Sequence, residues 1–453
     1  MILQPPRGQL RDGNKQRFMS QPKDETIPTI DHKPHKAFFR QSGWLMIAAV
    51  TGGGLTYLVH FLAKAKSVDE TQYAAFGTLL TLVMTCVPTM PLQMIFAQQT
   101  AQALAHGNDR QLSGIIRLAR WWTFVVWAVG ALLVVIFQKQ IVAGWHLPDA
   151  TGLLVTLPLI LVSIWFPMFT GVLQGRQDFF WMGWAAIISG IGRFGAAAFL
   201  VLALAFGATG MMAGALIGVS AAAFVCIWRS RDLWSLPAEK FDGRKLLRQV
   251  LPLLFGFGAC QFLFTADTMY AKVYFDDEHM APYVAVGTLS RGLLWLVLPL
   301  AAVMFPKIVH ASAKSQKTNL FNLVVLGTAI LSIGGALGLY VTGPMLVKLV
   351  YNSTYVNEAV KLLPWYAGAM VPLALANVMV NDLLARERYG VVPWMVLLAV
   401  GYGFTLPWVL HHYPGKIEAV LQTLGVFNLA LFAVCAWFAW GNKANAAPAA
   451  KPA

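Results

Sequence analysis

The sequence predicts an all-α integral membrane protein, with twelve transmembrane helices in two six-helix parallel repeats around a central cavity. Three observations carry that expectation. The chain has 453 residues, 57% apolar and only 12% charged, about half the roughly 25% charge of an ordinary soluble domain. Its basic residues crowd onto alternate loops, and two short motifs recur at one separation. At about 20 residues per span, the apolar content fills about twelve helices and leaves nothing for a second soluble domain.

In chain order, residues 1–42 are polar and rich in Lys, Arg and Pro, without the apolar core that a signal peptide needs. They read as a disordered basic cytoplasmic tail. Apolar runs at 43–63, 73–103, 121–137, 152–173, 180–206 and 210–228 make an N-terminal six-helix bundle, 43–228. A cytoplasmic linker, 229–248, carries Arg229, Arg231, Lys240, Arg244, Lys245 and Arg248. Runs at 249–272, 281–306, 320–342, 362–384, 391–410 and 417–441 make the C-terminal bundle, 249–441, and 442–453 is an Ala/Pro-rich cytoplasmic tail.

A net charge of +14 would suggest nucleic acid in a soluble protein, but here its position gives it another meaning, and no nucleic-acid partner is expected. With both termini inside, 25 of the 34 Lys and Arg lie on cytoplasmic segments, seven on outer loops or, for Lys272, at the outer end of a span, and two deep within spans. That asymmetry follows the positive-inside rule for an even number of spans and puts the turn near Asp276 outside. Cys86, Cys226, Cys260 and Cys435 all fall in apolar runs, so they are expected as buried packing residues and not as disulfides or metal ligands.

The repeat is read from two matches. YAAFGTL at 73–79 meets YVAVGTL at 283–289, a separation of 210. At the same separation GVLQGRQDF from Gly171 meets NDLLARERY from Asn381, with Arg176 over Arg386. This offset carries the first six spans onto the second six. An even number of spans per half makes the repeat parallel, with its pseudo-two-fold along the membrane normal, the architecture of an alternating-access transporter.

The stretch LQGRQDFFWMGWAAIISGIGRFG, from Leu173, resembles the fourth-to-fifth span region of polysaccharide flippases of the Wzx type, where a Leu-Gln-Gly turn ends one span. Residues 265–306 are similar to the same family's seventh and eighth spans, with an Asp late in the seventh, a short acidic outer loop, a Tyr entering the eighth, an Arg inside it and a Pro near its end. Tyr73-Ala74 and Ala281-Pro282 depart from the family's usual pattern. These flippases belong to the multidrug, oligosaccharidyl-lipid and polysaccharide exporter superfamily. The resemblance implies that an undecaprenyl-diphosphate-linked oligosaccharide is moved from the inner to the outer leaflet of a bacterial inner membrane. It also implies the bilayer and other polysaccharide-assembly membrane proteins as partners, and no cofactor beyond a coupling H+ or Na+ ion.

An ionisable residue in the hydrocarbon core is a functional candidate, because inserting it costs about 2.5–3.5 kcal/mol or more unless protein or water solvates it. Arg193 is about thirteen residues, roughly 19 Å, from the inner end of the fifth span, and Arg291 about ten residues, roughly 15 Å, from the outer end of the eighth. Two permanent cations at one depth, on opposite halves, suit a diphosphate head group. Otherwise each is tied to carbonyls or to a carboxylate. Asp267, about six residues or roughly 9 Å from the outer end, is either a counter-ion for Arg291 or the group that binds the coupling H+ or Na+. Asp382 and Arg386 read as an interfacial ion pair. Asn377 and Asn381 share a helix face and present amides either to sugar hydroxyls or to a neighbouring helix. Gly52, Gly53, Gly54, Pro88, Pro91 and Pro299 are candidate hinges.

An exporter of cationic drugs from the same superfamily is the competing function, and it would carry acidic residues in the cavity. A membrane-embedded polymerase or ligase is a third class. The longest outer loop, about 343–361, offers only Glu358 for acid–base chemistry, and no zinc, nucleotide or nucleophile motif occurs, so no enzyme is expected.

Overall fold

The structure, a computed structural model, describes residues 33–239, 241, 243–313, 320–351, 356–386 and 388–441. Residues 1–32 and 442–453 of the two expected tails lie outside the described residues. The N-terminal bundle comprises α1 (Lys33–Leu58, continued by a 3-10 segment Val59–Lys64), α2 (Glu70–Cys86), α3 (Thr89–His106), α4 (Asp109–Ile136), a short α5 (Gln138–Gly144), α6 (Thr151–Gly175), α7 (Phe179–Leu202) and α8 (Gly207–Arg229). After a turn of helix, α9 (Arg231–Trp234), the C-terminal bundle holds α10 (Gly243–Tyr274), α11 (Asp277–Ala313), α12 (Leu320–Val350), α13 (Val356–Ala385), α14 (Val392–His412) and α15 (Ile417–Ala436). Among the described residues eleven helical segments are long and apolar enough to cross a bilayer. The twelfth span is α11, which follows α10 after a tight turn.

The separation of 210 read from two motifs also relates the helix ends. Gly175 and Ala385 close α6 and α13, Leu202 and His412 close α7 and α14, and Gly207 and Ile417 open α8 and α15. Several elements differ from expectation, the second span described below among them. Helix α1 begins at Lys33 instead of near 43, since a helix running on into polar sequence leaves no hydropathy signal, and Pro34 is placed at its first turn. The linker is likewise shorter than 229–248, because α10 already begins at Gly243.

The second span is two helices. Pro88 has no N–H to continue α2 and its ring restricts the preceding residue. Val87 is accordingly extended (φ −108°, ψ 102°), and α3 restarts at Thr89. Cys86, the last residue of α2, is exposed at this break, unlike Cys226, Cys260 and Cys435, which are buried as expected; all four are free thiols.

The apolar packing divides the molecule along its length. One core cluster joins the bundles, from Val59, Tyr73 and Leu79 in the first half to Tyr283, Tyr351 and Tyr366 in the second. A separate cluster, with Phe96, Ile116, Phe169, Leu173 and Cys226, belongs to the N-terminal bundle alone, at the end where the linker docks. There Ser113 and Arg117 of α4 donate to the carbonyls of Trp234, Ser235 and Leu236, and Glu239 N–H donates to the Arg110 carbonyl at 3.2 Å. Between the bundles, α2 packs against α10 and α11, and α3 also packs against α10.

Candidate functional site

In the C-terminal bundle, the polar residues of three apolar helices converge on one carboxylate. Asp267 of α10 is fully buried and accepts from Arg291 Nη2 at 2.9 Å on Oδ1. Its Oδ2 accepts from the hydroxyls of Tyr283 on α11 at 2.7 Å, Tyr366 on α13 at 2.5 Å and Thr268 at 3.4 Å. Arg291, only 7% exposed, also donates from Nε to the Phe264 carbonyl at 3.1 Å and from Nη2 to Thr268 Oγ1 at 2.8 Å. Its guanidinium carbon lies 5.4 Å and 5.6 Å from the ring centroids of Phe264 and Tyr366. A hydroxyl in an apolar interior costs free energy unless it is hydrogen-bonded. The two tyrosines and Thr268 meet that need at Asp267, and the carboxylate meets the guanidinium's need for a counter-charge.

Arg193, which the sequence pairs with Arg291, is placed differently. It lies on α7, where Gly218 of α8 approaches so closely that a Cβ there would stand 2.4 Å from the Arg193 amide nitrogen. Its Nε is buried and has no hydrogen-bond partner among the described residues. His60, at the end of α1, is within its electrostatic reach. Arg193 and Arg291 share no hydrogen-bond partner among the described residues.

The other sequence candidates fall into place one by one. Asn381 Nδ2 donates to both the backbone carbonyl and the side-chain oxygen of Asn377, each at 2.8 Å, so the two amides bond to each other along α13. Asp382 and Arg386 pair at 2.9 Å, Arg176 pairs with Asp232 at 2.7 Å, and Arg229 pairs with Asp178 at 3.0 Å. Gly52 is a contact point: a Cβ there would stand 2.5 Å from the Ala186 carbonyl oxygen on α7, whereas Gly53 and Gly54 have open space around them. Helix α1 runs through all three. Pro88 marks the break described above, and Pro91 lies in the first turn of α3. The backbone of α11 is helical through Pro299, whose side-chain surroundings lie outside the described residues.

A second cluster, not singled out from the sequence, joins the bundles at the end away from the linker. Lys64 Nζ donates to the carbonyls of Lys348 at 2.9 Å and Leu349 at 2.5 Å, capping the last turn of α12. The Tyr57 and Tyr351 hydroxyls are 3.4 Å apart, and His60 Nδ1 lies 2.9 Å from the Tyr73 hydroxyl. Deeper in the same seam, Thr85 of α2 and Thr265 of α10 bring their hydroxyls to 2.7 Å, and Gly77 lets Val284 approach. The one sequence signal for this cluster was the Tyr–Gly spacing of the repeated motif, since Tyr73 and Gly77 both lie in it.

The profile of a family described as lipid II flippase MurJ matches residues 115–410, well over half of the chain. The chain belongs to the MurJ lipid II flippase family. Solved structures agree on the fold. An inward-facing multidrug resistance MATE transporter of the MOP superfamily superposes with a TM-score of 0.65 at 10% identity, covering 88% of this chain and 97% of that one. A lipid II flippase MurJ in an inward closed conformation gives 0.63 at 14% identity, covering 88% and 87%, and an outward-facing MATE transporter gives 0.60 at 12%, covering 90% and 95%. No functionally curated protein matches. As a MurJ-family member the chain is a multi-pass membrane protein of the flippase and transporter class, which is broader than the Wzx-type resemblance read from Leu173 onward.

Proposed function

We propose that this protein is an alternating-access flippase that carries a polyprenyl-diphosphate-linked oligosaccharide from the cytoplasmic to the outer leaflet of a bacterial inner membrane, for surface polysaccharide synthesis. The observation that carries the reading is the division of the contacts: Lys64, Tyr57 and Tyr351 tie the bundles together away from the linker, and the linker end of the N-terminal bundle has an apolar cluster of its own. Given the 25-to-7 distribution of Lys and Arg, the linker and both termini are cytoplasmic, so a chain in this state admits substrate from the inner leaflet. Family membership supports a lipid-linked cargo. Release outside then requires the contacts of Lys64, Tyr57 and Tyr351 to part.

In this reading Asp267 serves first as the counter-ion that keeps Arg291 in the C-terminal bundle, since donors already occupy both of its oxygens. A proton or Na+ couples to transport there only in a state that releases some of those donors.

The test is reconstitution of the full chain in liposomes with a fluorescent undecaprenyl-diphosphate trisaccharide, reading the loss of dithionite-protected label. The expected result is a rate at least tenfold above protein-free vesicles. No movement of this lipid, together with export of a cationic dye, would overturn the reading in favour of a multidrug exporter.

A further inference from the structure

We infer that, of the two intramembrane arginines, Arg193 and not Arg291 binds phosphate, so that the diphosphate of the substrate anchors on the N-terminal bundle. The inference rests on the diphosphate-lipid reading above. It begins with the way α7 faces. Its exposed apolar residues, Phe180, Trp184, Ile191, Phe199 and Leu202, form one stripe, and at 3.6 residues per turn Arg193 lies roughly 180° from it. The side chain therefore points away from lipid and into the protein. Ala186 and Gly190, near it on the same side of α7, pack against α1 at Gly52, and Ala197 packs against α8 at Gly214.

A guanidinium so placed needs acceptors, because a permanent cation in a low-dielectric interior is costly without them. The two halves answer that need differently. Arg291 has a carboxylate, a backbone carbonyl, a threonine hydroxyl and two aromatic faces. Arg193 has a buried Nε without a partner and, among the described residues, no ion pair. The titratable neighbour within its reach is His60, an imidazole already bonded to Tyr73, and not a carboxylate. An interior cation with no protein counter-charge has an anion or water as its partner. Of those two, a diphosphate supplies the charge, and its oxygens match the planar fork of Arg.

The full chain in phosphatidylcholine nanodiscs is titrated with geranylgeranyl diphosphate, reading tryptophan fluorescence. Arg193→Gln is expected to weaken binding at least tenfold, Arg193→Lys to retain part of the affinity, and Arg176→Gln to leave it unchanged. Two further arms identify the source of the anion. Inorganic pyrophosphate tests a free anion, and phosphatidylglycerol nanodiscs without added diphosphate test an ordinary lipid head group. An Arg193-dependent response to phosphatidylglycerol or to inorganic pyrophosphate as strong as that to the diphosphate lipid would overturn the assignment to substrate. So would wild-type affinity in Arg193→Gln, or loss of affinity in a folded Asp267→Asn/Arg291→Gln double variant while Arg193→Gln still binds. Should Arg193→Gln not fold, phenylglyoxal modification of the unaltered protein is read by mass spectrometry: the diphosphate lipid is expected to protect Arg193, and unprotected modification overturns the inference. Binding does not require transport, so tight, Arg193-dependent binding without flipping would count against the proposed function and not against this site.

Discussion

The two bundles are built on one repeat, yet they hold their intramembrane arginines in opposite ways. In the C-terminal bundle, Arg291 of α11 is bound into a network that spans α10, α11 and α13 and closes on Asp267. In the N-terminal bundle, Arg193 of α7 has a buried Nε without a partner among the described residues. The residue type is the same in the two, and the sequence predicts both near mid-bilayer; the available acceptors are not alike. Depth in the bilayer therefore identifies a candidate, and only the partners say whether its charge is used inside the fold or is left for something else.

The largest expected effect tests the closed side of this comparison. Removing one member of a buried ion pair strands the other and costs about 3–5 kcal/mol. Asp267→Asn is expected to lose stability on that scale, measured as thermal unfolding in detergent and as protein level in the membrane. The double variant Asp267→Asn/Arg291→Gln is expected to recover much of the loss. A well-expressed Asp267→Asn protein that binds substrate but no longer responds to an ion gradient would move Asp267 from counter-ion to coupling group, and the comparison of the two halves would then need to be redrawn.

Much of the fold was legible because its causes are local or periodic. Apolar runs about 20 residues long mark spans whatever they pack against, and YAAFGTL over YVAVGTL gave the separation that the ends of α6, α7 and α8 repeat in α13, α14 and α15. Pro88 broke the second span for reasons contained in two residues. The site was legible only in part. The depths of Asp267 and Arg291 made their pairing one of two open readings, and the structure brings them to 2.9 Å. Tyr366 could not be read in the same way, since its only qualification is where α13 passes, 99 residues along the chain from Asp267. Nor did the similar depth expected for Arg193 and Arg291 say that their surroundings differ, because a helix face acquires its neighbours only when the bundle assembles.

An intermediate effect separates Gly52 from Gly53, both read from sequence as hinge residues. At Gly52 a side chain meets the Ala186 backbone, which cannot swing aside as a flexible side chain can; at Gly53 it meets open space. Overpacking of this kind costs about 1–3 kcal/mol. Gly52→Leu is therefore expected to lower the unfolding temperature of the detergent-solubilised protein, and Gly53→Leu to change it little. Equal effects would mean that α1 bends at this run and does not pack through it.

The smallest expected effect lies in the turn between α10 and α11, where Asp276 accepts from His279 Nδ1 at 2.5 Å and from its backbone N–H at 3.1 Å. The hydrogen bond from His279 is the main reason the Asp276 carboxyl is held below its usual range, and the same bond raises the His279 imidazole above its own. The signs bound a window. A raised histidine contributes fully below its unfolded value of about 6.5 and stops contributing as pH rises through its folded value, while a depressed carboxylate contributes above about 3.9 and stops as pH falls through its folded value. The pair is therefore worth most in mildly acidic solution. Both groups are exposed, so solvent and salt screen it to less than about 1 kcal/mol, and a protonated imidazole in the first turn of α11 is opposed by the helix dipole. Unfolding temperatures followed from pH 5 to 8 are expected to show His279→Gln falling slightly below the unaltered protein at the acid end and converging with it at the alkaline end. A gap that widens with rising pH would mean that His279 acts as a neutral packing group and that its bond to Asp276 adds no charge-dependent stability.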